Sequence, residues 1–217
     1  VSLYRRRLED QPLDFTITNE PRVFDGFRPV DAIELRHERL AEGEALQVRR
    51  EVMRGGRAAV VIPYDADQDA IVLIRQFRIG AALSTPHAAP LELPAGLVDD
   101  GEATQDSAAR ELREETGLDV LAVSELFSML SSPGLTDERI TFFLALVDAS
   151  NLSGSAGLAS EHEDILPLLA PVDALVEAAD AGAIENGFLL CATHWFARHG
   201  RERARLLQDT LTTQGAE

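Results

Sequence analysis

Residues Pro94–Leu118 read PAGLVDDGEATQDSAARELREETGL. This stretch gathers Glu102, Glu111, Glu114 and Glu115, the last three within five residues of one another. Its interior is rich in strong helix formers, which predicts a helix from Thr104 to Thr116. Thr104 can cap the start, and Gly117 can end the helix in the left-handed conformation. Ala108, Ala109 and Leu112 mark the inward stripe. Glu111 and Glu115 then project one turn apart from one face, and Glu114 lies to the other side of Glu111. Arg110, one turn before Glu114, can pair with it. The expected result is a carboxylate cluster on the side opposite Leu112. Like charges at this spacing destabilise a helix, so the cluster calls for a cation. Mg²⁺ or Mn²⁺ suits it, because hard cations take oxygen ligands and share them with waters and substrate phosphates.

Outward from this helix the chain alternates strand and turn signals. Toward the N-terminus, FTITNEPRVF, VDAIELRHERL and EALQVRREVM mix β-branched and polar residues, separated by Asp25-Gly26 and Glu42-Gly43, with Gly55-Gly56 following. AAVVIPY and AIVLIRQF flank DADQD and predict a hairpin. GAALSTPHAAP reads as a loop. Beyond the helix, VLAVSELFSML and RITFFLALVDA read as strands. SNLSGSAGLASEHED is a Gly/Ser-rich loop of a length that is often functional. Helical patterns follow at Val172–Ala181 and at 184–199. Strands interrupted by one helix and followed by two more predict an α+β layered fold. The expected division is a β-rich segment over 1–54, a main domain over 55–200 and a C-terminal tail over 201–217.

The 217 residues are 45% hydrophobic, enough for a substantial core. No apolar run reaches bilayer length, and the opening stretch lacks the apolar core of a signal peptide. The single cysteine, Cys191, fits a reducing cytoplasm, which is the expected location. A net charge of −17 argues against a nucleic-acid partner, since phosphate backbones select clustered Lys and Arg. An anionic substrate would need arginines or metal ions against that field.

Gly96, five residues, Glu102, seven residues, Arg110-Glu111-Leu112, one residue, Glu114-Glu115, one residue and Gly117-Leu118 together resemble an unbroken Nudix box. The resemblance implies an α/β/α sandwich around a mixed sheet and Mg²⁺-dependent hydrolysis of a nucleoside diphosphate linked to another group. It implies Glu111 and Glu115 as the main metal ligands, Glu114 as a further or water-mediated one, and the Ala95 carbonyl as another oxygen. Gly96 would permit a tight loop with Glu102 braced against the helix. Arg110, paired with Glu114, and Glu115 would count among the catalytic residues.

Further segments resemble the ADP-ribose pyrophosphatase branch of that family. SSPGLTDERI places Pro133 sixteen residues after Gly117. VRREVMRGGRAAVVIPYD, VLIRQFRIGA and ASEHEDI follow in the same order, and the likeness extends from about Phe24 to Phe196. By this resemblance Arg50 and Arg78 contact substrate phosphates and the terminal ribose, Phe27 stacks on adenine, and Glu138 helps to hold ribose or bridging waters. Guanidinium forks match phosphate oxygens, and an aromatic face suits a purine. The general base is expected on the SEHED loop, where Glu161 matches best and Glu163 comes second; His162 is expected to face solvent. The N-terminal strands are expected to exchange across a two-fold homodimer. GDP-mannose, NADH and FAD are the alternative substrates. A non-catalytic metabolite sensor is a remoter alternative, because every acid of the box is present.

Overall fold

The computed structural model describes residues 8–152, 154–157 and 163–214. The chain divides into two compact units. One runs up to Gly56 and takes in Leu130–Arg139; the other comprises Arg57–Met129 and the chain from Ile140 onward.

The first unit is an antiparallel sheet of β1 (Phe15–Asn19), β2 (Arg22–Phe24), β3 (Val30–His37) and β4 (Leu46–Met53). β3 pairs with the other three strands, with Phe15 opposite His37, Arg22 opposite Asp31 and Val30 opposite Met53. Asp31 is buried and accepts hydrogen bonds from Arg22 and Arg54. The Arg22 bond is the main reason its carboxyl titrates below the usual range. Phe15, Val23, Phe24 and Phe27 are exposed on this unit.

The second unit is built from β5 (Arg57–Asp65), β6 (Ala70–Arg75), α1 (Ile79–Ser84), β7 (Leu91–Glu92), β8 (Ala95–Leu97), α2 (Thr104–Thr116), β9 (Ala122–Leu130), β10 (Arg139–Leu146), β11 (Leu166–Pro171), α3 (Val172–Asp180) and α4 (Gly187–Gln214). The strand order is β11-β6-β5-β10-β9, with β7 on β6 and β8 on β5. β5 and β6 form the expected hairpin, and Tyr64 faces Ile71. Arg139 N–H bonds the Gly56 carbonyl, and Val147 N–H bonds the Tyr64 carbonyl. Both numbers rise together, so β5 and β10 run parallel within an otherwise antiparallel set and the sheet is mixed.

Alternation along the central strands sorts the core into two layers. Val60, Ile62, Tyr64, Phe142, Leu144 and Leu146 join Leu175, Leu189 and Phe196 of α3 and α4. Ala59, Val61, Phe143, Ala145 and Val147 join Ala108 and Leu112 of α2. The unit is therefore the α/β/α sandwich around a mixed sheet that the box implied. Each fully buried Phe, Leu or Ile contributes about 1.5–3 kcal/mol.

Several elements differ from the sequence reading. α1 occupies part of a stretch expected as loop, and it buries none of its residues, so it leaves no apolar stripe to read. β11 carries Pro167 and Pro171 and is tolerated at the end of the sheet, where an edge strand can lack a ladder donor. α4 continues past His199 to Gln214, within the segment expected as a tail. Gly200 lies inside it because a Cβ there would fall 2.2 Å from the Phe196 ring. Ala204 is buried, and Arg201 ties the helix to Asp69 at 2.8 Å and Asp173 at 2.6 Å. Among the described residues no helix is long and apolar enough to cross a membrane. Cys191 is half-buried, and burial pushes its thiol up.

Candidate active site

α2 lays its inner face on β5 and β8, and this packing sets the acids. Ser107, Ala108, Leu112, Glu115 and Thr116 are buried, whereas Ala109 is only half-buried. Thr104 is the first helical residue and does not cap; Ala103 occupies the cap position without a side-chain bond. Gly117 ends the helix as expected, at φ 74°, with its N–H on the Arg113 carbonyl at 2.8 Å.

Glu114 lies opposite Leu112 as expected, but Glu111 and Glu115 do not. These two line the flank that meets β8, because the helix rests directly on that strand. Glu115 is 3% exposed, and its Oε2 accepts the Ala95 N–H at 2.9 Å. Burial pushes its carboxyl up to about 8, reinforced by the charges of Glu111 and Glu163 and opposed by the Ala95 N–H and by Arg78. Glu111 is also raised, first by burial and then by Glu114 and Glu163, against the pull of Arg110. Gly96 does not form a tight turn. It lies in β8, and a Cβ there would fall 2.0 Å from the Glu111 carboxylate, so its role is close approach. Gly101, at φ 83°, makes the turn before the helix.

Arg110 joins this flank together. Its Nε donates to Glu102 at 3.1 Å, and its Nη1 to Glu111 at 2.8 Å and Glu114 at 3.0 Å. Its Nη2 donates to the Leu97 carbonyl at 3.2 Å and to Ser107 Oγ at 3.4 Å. The guanidinium is thereby held above its ordinary pKa, chiefly by Glu102. Glu102 is lowered in return, and it also accepts the Asp99 N–H at 3.1 Å. Glu102 thus braces the arginine and the loop. Among the described residues no group of three or more acids, histidines or cysteines is already converged on a metal position. The arginine fork occupies part of the acid set.

The unit brings two more of the expected residues into reach of the box acids. Arg78 and Glu163 both act electrostatically on Glu115, and Glu163 acts on Glu111 as well. The stem of the Gly/Ser-rich loop is tied down by a bridge between Ala156 and Ile165 and by the Gly157 N–H on the Glu114 carbonyl at 3.1 Å. Glu161 and His162 lie outside the described residues. Phe27, Arg50 and Glu138 belong to the first unit. Phe27 is 88% exposed, with the Arg28 guanidinium 5.4 Å from its ring centroid. Arg50 is exposed on β4 and donates to the Arg49 carbonyl at 2.9 Å. Glu138 is half-buried against Gly55.

Two residues escaped the sequence reading. Ser107 accepts from Arg110 and donates to the Leu97 carbonyl at 3.3 Å. Glu92, buried in PLELP, pairs with Arg78 at 2.8 Å. An acid between two leucines was a usable signal, since a buried carboxylate needs a partner.

The NUDIX domain family matches residues 54–187, and the chain belongs to that family. It is a hydrolase acting on pyrophosphate bonds. The chain is 37% identical over 187 residues to the ADP-ribose pyrophosphatase of Escherichia coli K12, covering 86% of this chain and 89% of that one. It is 36% identical over 185 residues to the ADP-ribose pyrophosphatase of Haemophilus influenzae, covering 84% and 85%. A GDP-mannose pyrophosphatase of Enterobacter sp. matches at 33% over 147 residues, covering 67% and 75%. A crystal structure of an ADP compounds hydrolase superposes with a TM-score of 0.66 at 20% identity, covering 88% of this chain and all of that one, and shares the fold.

Proposed function

We propose that this chain hydrolyses ADP-ribose to AMP and ribose 5-phosphate with a divalent cation, Mg²⁺ first and Mn²⁺ as a substitute. The observation that carries the reading is the flank of α2, where Glu111 and Glu115 stand beside the Ala95–Gly96 backbone and Arg110 ties Glu114 to Glu111. Two ADP-ribose pyrophosphatases match over 86% and 84% of the chain, whereas GDP-mannose pyrophosphatases match over 67% at comparable identity, and the wider match favours ADP-ribose.

The residues fit a hard cation. Glu115 is buried with a carboxyl raised to about 8, so its charged form lacks a counter-charge that a cation would supply. Glu111 and Glu115, with Glu114 and the Ala95 carbonyl, would hold the ion. When bound, it neutralises phosphate charge and acidifies water. Arg110 ties Glu114 to Glu111 and has Glu102 and the Leu97 carbonyl to retain it if those acids turn to a cation. Arg78 binds and orients a phosphate.

A loop acid takes the proton of the attacking water. The electrostatic reach of Glu163 to Glu111 and Glu115 supports Glu163, and the resemblance supports Glu161. Phe27 stacks on the purine, Arg50 contacts phosphate and Glu138 the ribose, in a homodimer whose N-terminal strands exchange. The single half-buried Cys191 supports a reducing, cytoplasmic setting.

The test is a panel of ADP-ribose, GDP-mannose, NADH, FAD and diadenosine polyphosphates with Mg²⁺ and product identification. ADP-ribose is expected to give the highest kcat/KM. Preference for GDP-mannose would move the chain to that substrate, and cleavage of none would overturn the reading.

A further inference from the structure

Glu92 is 7% exposed, and the Arg78 guanidinium covers it. Arg78 Nε donates to both carboxylate oxygens, at 3.0 and 3.2 Å, and Nη2 donates to Oε2 at 2.8 Å. These bonds use the side edge of the guanidinium. The group carries five N–H donors in a fixed plane, so Nη1 and the second N–H of Nη2 form another edge. Among the described residues no other acceptor is bonded to this side chain. Arg78 is half-exposed and lines an open pocket of about 300 Å³ with Glu92, Ser84 and His87.

The backbone fixes this pair relative to the acids. Glu92 lies in β7 opposite Ile74 of β6. Three residues later, Ala95 binds Glu115 through its N–H. One short segment therefore holds both the arginine and a box carboxylate. The Arg78 charge also reaches Glu115.

We infer that Glu92 is a positioning residue that divides Arg78 between two tasks: the side edge is fixed by the protein, and the end edge is presented as a two-donor fork to a substrate phosphate. The inference rests on the pyrophosphatase reading. A fork held in one plane accepts two oxygens of one phosphate, whereas an unheld arginine samples many orientations. A plain structural pair would serve stability and leave substrate affinity alone.

The experiment compares Glu92→Gln, Glu92→Asp, Arg78→Lys and the Glu92→Gln/Arg78→Lys double variant. Readouts are steady-state kinetics on ADP-ribose, calorimetric binding of inorganic pyrophosphate with Mg²⁺, and thermal midpoint. Glu92→Gln is expected to raise KM and weaken pyrophosphate binding by roughly tenfold to a hundredfold, with kcat changed less, as expected when an orienting group is misplaced. Lysine offers a point charge without a fork, so in the Arg78→Lys background the same change should cost less than about twofold. Glu92→Asp keeps the charge but shortens the reach; it should restore the midpoint and still raise KM. If Glu92→Gln melts early, the Asp variant decides, and a wild-type KM there overturns the inference. Equal costs in both backgrounds overturn it, as does unchanged pyrophosphate binding. A wild-type enzyme that ignores ADP-ribose sinks the substrate reading separately, and the pyrophosphate comparison still decides Glu92.

Discussion

Glu115 carries the largest electrostatic cost of any acid on α2, and the cost has a measurable sign. Its carboxyl is raised to about 8 in the folded chain from an ordinary 4.5, so the folded state binds the proton more tightly than the unfolded one. In chelated protein its contribution to stability is fully present below about 4.5 and is lost as pH rises through about 8. The whole swing is at most several kcal/mol. Denaturant titrations across that range should show the decline in wild type, and Glu115→Gln should flatten it and be the more stable protein at pH 8. An equal slope in both would assign the effect elsewhere. Gly96 supplies a second test at this scale. A Cβ there meets the far end of the Glu111 side chain, which can swing away, so Gly96→Ala should fold normally. The displaced carboxylate should cost the enzyme on the order of a hundredfold or more in kcat/KM, as loss of a metal ligand does. A folded Gly96→Ala variant with wild-type activity would contradict the placement of Glu111.

At the scale of elements, the loop that follows β10 is expected to deliver the proton acceptor. Glu161→Gln and Glu163→Gln keep shape and remove basicity. The residue that acts as base should lower kcat by roughly a hundredfold to ten-thousandfold with little change in KM, and the other should be mild. Two mild variants would remove the loop from the chemistry. The legibility of elements followed their physics. α2 was readable because helix formers, inward alanines and a terminal glycine agree with one another. β5 and β10 were readable as apolar runs. α1 was not, since a six-residue helix that buries nothing shows no periodicity. β7 and β8, of two and three residues, are too short to alternate visibly. β11 was hidden by its prolines, which only its place at the edge of the sheet permits.

For the whole molecule, the sequence disclosed the acids and their helix, while their surroundings depended on tertiary contact. The burial of Glu115 against β8, the five-way hold of Arg110 and the Glu92 pair all join segments whose proximity no local pattern reports. Phe27, Arg50 and Glu138 were named by resemblance and belong to a unit with Phe15, Val23 and Phe24 exposed on it. Such apolar surface calls for cover. Exchange of those strands across a two-fold axis is expected to give a solution mass about twice 23.6 kDa. A monomer by sedimentation at all concentrations would leave Phe27 and Arg50 without the proposed composite site. Product-resolved hydrolysis shows whether the α2 carboxylates, with a divalent cation, cleave ADP-ribose. Wild-type protein with Mg²⁺ should release AMP and ribose 5-phosphate in equal amounts, and chelation or Glu115→Gln should abolish nearly all of it. Hydrolysis that survives both treatments, or ADP-ribose left intact by the wild type with Mg²⁺ and with Mn²⁺, would contradict the account.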